Sequence, residues 1–275
     1  MSWRVVARKD FEDAARSGWL LGLAALFVVL VSLGVYVTSL LSGGGGVDST
    51  AVLRSGFVQD GVVTAFIPLV SLVVAYNAVV GERESGSLKL LLALPHSRAD
   101  VVFGKVVGRA AAVATAIAAG FLLPAVVLLV LDSVTFAAVA YVQYTFFAAL
   151  LGVAFVAIAV GFSAATASHR LAMAGAVGIY FLFVGLLGAI QFPLSLYLQV
   201  SGTPGWLPLS GQELIRMIRL INPTGAFKIV TNGFLGGRLF SGQGARLQAA
   251  AVVMLVAWTV VPPLFGLLRF EKADL

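Results

Sequence analysis

Ala110-Ala-Ala-Val-Ala-Thr-Ala-Ile-Ala-Ala-Gly-Phe-Leu-Leu-Pro-Ala-Val-Val-Leu-Leu-Val-Leu131 carries no Asp, Glu, Lys, Arg or His. A bilayer core about 30 Å thick takes roughly 20 apolar residues per helix, and this stretch meets that length. Five more do the same: Trp19 to Leu41, Val62 to Val80, Phe136 to Thr166, Ala172 to Phe192 and Ala249 to Leu268. The 275 residues are 60% hydrophobic and 11% charged, with a mean hydropathy of +1.02, outside the composition of soluble domains. Unpaired backbone amides are costly in lipid, and the chain shows no barrel-type alternation, so the runs are predicted to be helices. The fold class is therefore an all-α, polytopic membrane protein with six transmembrane helices. The fourth run exceeds a single span. Its start is placed near Tyr141, with Tyr141 and Tyr144 as interfacial anchors.

Lys and Arg set the orientation. Six spans put both termini on one side, together with Arg4, Arg8, Lys9, Arg16, Arg83, Lys89, Arg98, Lys105, Arg109, Arg170, Arg269 and Lys272. The other side holds Arg54 and a single long loop with Arg216, Arg219, Lys228, Arg238 and Arg246. The positive-inside rule places both termini in the cytoplasm of a cell (plasma) membrane. The net charge of +6 reflects that topology; no basic soluble domain exists to bind nucleic acid. Thirteen arginines against five lysines fit a prokaryotic source with GC-rich coding.

The catalytic inventory is thin. There is no cysteine, and His96 and His169 fall in or beside the cytoplasmic loops, so neither a zinc site nor a Ser-His-Asp arrangement can be assembled in the membrane. A phosphate-binding loop needs a lysine before its hydroxyl residue. Gly81 to Ser87 lacks it, so ATP hydrolysis is not expected in this chain. No ionisable residue lies at mid-depth under these boundaries, which argues against an ion-coupled carrier. Asn77, Gln143 and Gln191 are read as bonds across helix interfaces, and Gly175, Gly178, Gly185 and Gly188 as a close-packing face. Pro68, Pro124, Pro262 and Pro263 are candidate kinks.

Residues 1–18 read as an interfacial helix. Trp3, Val6, Ala7, Phe11, Ala14 and Ala15 share one face, with Arg4, Arg8, Lys9, Glu12 and Arg16 on the other. Trp3, Arg8 and Phe11 are its membrane-interface anchors, the rings among headgroups and the bases toward anionic lipid. Gly43 to Gly46 end the first span flexibly. Residues 193–248 form a large extracytoplasmic loop, predicted to hold short helices over Gly211 to Ile221, stopped at Pro223, and over Gly225 to Phe234, closed by Gly236-Gly237.

Between the second and third spans, residues 81–105 concentrate charge and proline: Gly81-Glu-Arg-Glu-Ser-Gly-Ser-Leu-Lys-Leu-Leu-Leu-Ala-Leu-Pro-His-Ser-Arg-Ala-Asp-Val-Val-Phe-Gly-Lys105. A leucine-rich helix is predicted from Ser87 to Leu94, ended by Pro95, and Ser97 with Asp100 reads as a capping box opening the third helix. Leu88, Leu91 and Leu92 are then available to fill a groove.

Glu82-Arg83-Glu84-Ser85-Gly86-Ser87-Leu88-Lys89-Leu90-Leu91, followed by Leu94-Pro95-His96-Ser97-Arg98 and Gly104-Lys105, resembles the loop between spans two and three of type-2 ABC transporter permeases. There, Glu-x-x-Gly-Thr/Ser, a leucine-rich coupling helix, Pro and Ser-Arg recur. The likeness covers the whole chain as a single permease domain, residues 1–275, and extends to the copper-enzyme-maturation branch. Ser87 stands where Thr is frequent and keeps the hydroxyl. The resemblance implies a permease dimer with two copies of a separate ABC ATPase subunit, which hold ATP and Mg, none being bound by this chain. It implies a non-catalytic subunit that couples ATP hydrolysis to export or transmembrane movement of a substrate. It also implies an ATPase-coupling interface made by Glu82, Arg83, Glu84, Gly86, Ser87, Leu88, Leu91, Leu94, Pro95, Ser97 and Arg98, with Leu88, Leu91 and Leu94 packing, Glu82, Glu84 and Arg98 making polar contacts, and Pro95 setting the turn. The second copy is the same or a related permease, and the extracytoplasmic loop is open to a further partner. The alternative from the residues is a self-contained six-helix channel or secondary carrier with no ATPase.

Overall fold

The structure is a computed structural model that describes residues 3–16, 18–41, 47–88, 97–130, 134–203 and 209–272. Six helices among them are long and apolar enough to cross a membrane: span 1, Trp19–Leu41; span 2, Gly56–Glu84; span 3, Arg98–Val126; span 4, Ala138–Ala165; span 5, His169–Ser201; and span 6, Ala245–Glu271. The protein is thus a multi-pass, almost wholly helical membrane protein. The one strand pairing among the described residues is parallel, Val47 with Val134 and Asp48 with Thr135. Every span anticipated from composition is present. Most run longer than the apolar cores, because polar residues at a helix end keep the backbone hydrogen-bonded while their side chains reach water.

Span 4 is the central element. Of its apolar window 72% is buried, against 6% for span 5 and 22% for span 1, so those two helices form the open flanks of the chain. Spans 2, 3 and 6 pack around span 4. Small residues set the distances: a Cβ on Gly266 would strike the backbone of Gly161, and one on Gly161 the backbone of Pro262. Such backbone-to-backbone approach is how helices associate where lipid gives no hydrophobic drive. The glycines expected to pack span 5 behave otherwise. Gly178 and Gly188 face open space, and only Gly175 meets another helix, at Phe162.

One further expectation is corrected. Tyr141 and Tyr144 are not interfacial anchors; both are fully buried. Tyr141 Oη donates to the Phe121 carbonyl (2.9 Å), and Tyr144 packs edge-on to Phe227 at 5.4 Å. Phe227 comes from the long loop, which is more deeply built in than a surface excursion. Its second helix, Pro223–Leu235, buries Ala226, Phe227 and Val230 completely, and Phe234 stacks on Phe147 of span 4. Pro223 opens this helix as well as ending the previous one: the Asn222 side chain accepts from Thr224 N (3.1 Å), and Pro fits the first turn, where no amide partner is needed. The helix before it, Gly211–Ile221, lies as expected and has no buried residue; Ser210 and Glu213 cap it reciprocally.

Span 2 is irregular. From Gly56 to Phe66 it has π-helical i→i+5 bonding, ending in Ile67 N to the Val62 carbonyl, immediately before Pro68. Regular helix runs Ile67–Ala75, turns through residues 76–79 and resumes at Val80–Glu84.

Candidate coupling surface

The face carrying both termini gathers the charged residues of the N-terminal helix, the tail of span 2 and the start of span 3. The N-terminal helix read from the sequence as interfacial, Trp3–Arg16, lies across the start of span 3. Gly104 and Gly108 make room for it: a Cβ would come within 2.6 Å of the Val6 Cβ at the first, and of the Ala7 carbonyl oxygen at the second. Its apolar stripe therefore packs partly on protein. Val6 and Ala7 are buried, Trp3 is 40% exposed, Phe11 is half-buried, and Arg8 is exposed and paired with Glu12 at 2.8 Å. The Arg8 guanidinium holds the Glu12 carboxyl below its usual range.

Beneath this helix lies an ionic cluster. Lys105 Nζ, on a side chain 3% exposed, sits 2.7 Å from Glu82 Oε1 and 3.4 Å from Asp10 Oδ1; Arg109 Nε reaches Asp10 Oδ2 at 3.2 Å, and Arg109 Nη1 donates to the Val74 carbonyl. A buried ammonium is tolerated only when paired. Here two carboxylates from two different elements supply the pairing, so the interfacial helix, the tail of span 2 and the start of span 3 share one charge network. The sequence reading counted Arg109 as a topology signal and Lys105 as that and as part of the resemblance, and gave neither a partner. Their helical spacing, one turn apart, put them on one face of span 3, and that was the available clue.

The tail of span 2 is tied on its other sides too. Where the helix breaks, the Val79 and Val80 amides both donate to Ser163 Oγ of span 4 at 3.1 Å, a buried contact that sequence reasoning missed because a serine in an apolar span carries no distinguishing spacing. Glu84 Oε1 accepts from the His169 amide at 2.7 Å, and His169 Nδ1 lies 2.9 Å from Asn77 Oδ1. Asn77 thus bonds across a helix interface as anticipated, and Glu84 sits at the N-terminus of span 5, where the helix dipole favours a carboxylate.

The residues assigned to the coupling interface are placed as follows. Glu82 and Glu84 face other elements of this chain, and Arg83 is half-buried with a partner of its own. Ser85 ends the tail, Gly86 takes a left-handed φ of 75°, and the Ser87 hydroxyl lies 2.9 Å from that of Ser85, exposed. Leu88 is corrected: it is fully buried in the chain's own core and does not present itself to an outside groove. The capping box is present, with Asp100 N donating to Ser97 Oγ (3.0 Å) and Ser97 N to Asp100 Oδ2 (3.1 Å). Asp100 Oδ1 also accepts from Trp3 N at 2.9 Å, which pins the interfacial helix end. Arg98 turns toward span 6, donating to the carbonyls of Phe270 and Glu271 with its guanidinium 5.1 Å from the Phe270 ring centroid. Leu91, Leu94 and Pro95, with His96 and most of the predicted coupling helix, lie outside the described residues.

Residues 4–275 match the family model described as ABC-2 family transporter protein. The chain belongs to the ABC-2 transporter family. It is 30% identical over 277 residues to a probable ABC transporter permease protein, NosY, of Stutzerimonas stutzeri, covering 97% of each chain, and 31% identical over 260 residues to the protein of the same name from Pseudomonas aeruginosa, covering 92% of this chain and 91% of that one. This ABC-2 protein is therefore the membrane permease subunit of an ABC transporter. The family implies an ATPase partner and a dimeric assembly.

Proposed function

We propose that this permease couples ATP hydrolysis by two copies of a separate ATPase subunit to substrate movement, with the ATPases docked on the face that carries the termini and with that face cytoplasmic. ATP and Mg belong to the ATPase; this chain contributes the mechanical element. One observation carries the reading: the tail of span 2, which leads into residues 81–105, is bonded at once to the interfacial helix and span 3 through Lys105, to span 4 through Ser163 and to span 5 through Glu84. A force on that segment is delivered to four elements rather than dissipated in a loop. Two ATP-dependent positions of the docked subunit then bias two arrangements of the helices, a rigid-body lever with different contacts in each state.

The second permease copy, identical or related, covers the open flanks offered by spans 1 and 5. Arg83, Gly86 and Ser87, with Leu91, Leu94 and Pro95, form the contact with the ATPase, while Glu82, Glu84, Leu88, Ser97 and Arg98 hold the segment's base. Copurification with the ATPase tests this. Leu91→Glu is expected to leave the protein inserted while ATPase association and ATP-driven transport are lost. Transport by the purified permease alone, without ATP, would overturn the proposal in favour of a self-contained channel or carrier.

A further inference from the structure

On the face opposite the termini, a cavity of about 580 Å³ opens between span 2, span 5, the start of span 6 and the helix Pro223–Leu235, within the size range of small-ligand sites. Among the described residues two cations line it and no carboxylate does. Arg219 is fixed through Nε by Gln191 Oε1 at 2.8 Å, a bond that uses one of the five guanidinium donors. Lys228 Nζ pairs with Asp60 Oδ1 at 2.5 Å, but the two side chains are 40% and 62% exposed. A pair at that exposure is weak and exchangeable.

The walls are shaped by glycine. A Cβ on Gly225 would strike the backbone of Arg219, and one on Gly233 the amide of Gln248, so small residues let the cationic helices close around the space. On the span 5 side Gly188 is exposed with nothing beside it, and the cavity is open there. Depth adds a further constraint. Asp60 precedes Glu82 by 22 residues of largely helical chain, about 30 Å at 1.5 Å per residue, the thickness of the hydrocarbon core. The cations therefore stand at the level of the distal headgroups, and below them the exposed Val177 and Phe181 of span 5 offer an apolar track.

We propose that this cavity binds the phosphate of a distal-leaflet phospholipid, with Arg219 and Lys228 holding phosphate oxygens and an acyl chain lying along span 5. Lys228 exchanges the Asp60 carboxylate for phosphate as the lipid enters, so Asp60 acts as a competitor that keeps the site from closing on itself. The site does not depend on the ATPase partner, and its test uses the permease alone.

The experiment is native mass spectrometry of the purified full chain in neutral detergent, titrated with phosphatidylglycerol, with diacylglycerol as the phosphate-free control. Retention of the phospholipid over diacylglycerol is expected. The double variant Arg219→Gln/Lys228→Gln should lower it by about tenfold or more, since charge-assisted bonds to phosphate are the strong ones. Arg246→Gln, on the same face but outside the cavity, should leave retention unchanged, and Asp60→Asn should raise it by releasing Lys228. Equal retention of phosphatidylglycerol by the double variant, equal retention of diacylglycerol, or weaker retention in Asp60→Asn would each overturn the proposal. Thermal protection by inorganic phosphate without lipid retention would assign the cations to a soluble phosphate and overturn the lipid assignment.

Discussion

Lys105→Met tests whether the ionic cluster holds the interfacial helix to the rest of the permease. Opposite charges at 2.7 Å attract by about 6 kcal/mol at an effective dielectric constant near 20. Desolvation of the buried ammonium offsets much of that, and breaking a buried pair by removing one partner costs about 3–5 kcal/mol. Two features lower the figure here. The Glu82 side chain is 28% exposed and can recover water in part, although its Oε2 is buried, and Asp10 keeps Arg109 at 3.2 Å. The expected cost is therefore about 2–3 kcal/mol, which multiplies the population of the detached helix by roughly 30- to 150-fold. The chain has no cysteine, so Val6→Cys supplies a single thiol in place of a side chain that is 6% exposed against Gly104. Maleimide labelling of Val6→Cys should be slow in the parent and faster by that factor when Lys105→Met is added. Glu82→Gln added to Lys105→Met removes the stranded carboxylate and should recover part of the protection, whereas Arg16→Gln, at an exposed pair of 3.9 Å, should change nothing. A labelling rate in Val6→Cys/Lys105→Met within twofold of the parent would refute the reasoning.

Ser163→Ala leaves the Val79 and Val80 amides without their acceptor and should cost about 2 kcal/mol or more, read as a lower thermal unfolding midpoint in detergent; an unchanged midpoint would count against the helix break being held by span 4. Phe227→Ala empties a fully buried site against Tyr144 and should cost about 3–5 kcal/mol, whereas the same change at exposed Phe240 should be nearly silent. Leu88→Glu places a charge where the side chain is completely buried and should reduce folded yield, while Ser87→Glu, at an exposed neighbour, should keep the fold and weaken ATPase association. The Ser210 hydroxyl and backbone amide hold the Glu213 carboxyl below its usual range. Because that folded pKa is depressed, the capping contribution is complete above the ordinary glutamate value near about 4.3 and is lost as pH falls through the folded value. The protection of the Gly211–Ile221 amides, taken as exchange relative to the intrinsic rate at each pH, should therefore fall only in acid, and in Glu213→Gln should lose that pH dependence.

Hydrophobic run length sufficed for the six spans, because lipid leaves a backbone no alternative to internal bonding, and the capping box at Ser97 was readable because its two residues are three apart in sequence. What could not be read was any contact whose partners are remote. Ser163 meets Val79 across 84 residues and Lys105 meets Asp10 across 95, and nothing in either local pattern distinguishes a serine or lysine with such a partner from one without. Tyr141 and Tyr144 misled for a related reason. Near a span end an aromatic with a hydroxyl suits both the interface and the interior; for Tyr141 the position of the Phe121 carbonyl decides, and for Tyr144 the rings of Phe121 and Phe227 do. Leu88 shows the same limit, since a leucine after a helix end suits an outside groove as well as the chain's own core.

Span 2 joins the two faces, and its irregularities explain how one helix can serve both. Pro68 has no amide to donate, and the chain before it takes the wider i→i+5 turn, which swings Gln59 toward the loop helix: Gln59 Nε2 donates to Asn232 Oδ1 at 3.2 Å and lies 3.4 Å from Thr231 Oγ1. At the other end the turn through residues 76–79 frees two amides that Ser163 accepts. Span 2 is thus three short rods that meet at Ile67 and at residues 76–79, with the first rod tied to the loop helix through Gln59 and the second joint tied to span 4 through Ser163. A continuous helix would move as one body. With these joints, a displacement of the Val80–Glu84 tail can be taken up at Ser163, passed to the middle rod, or carried on to the Gln59 contact beside Asp60, depending on which bonds hold. Removing the Ser163 hydroxyl should therefore weaken what reaches the distal face more than it weakens ATPase docking, and that difference separates a jointed lever from a rigid one.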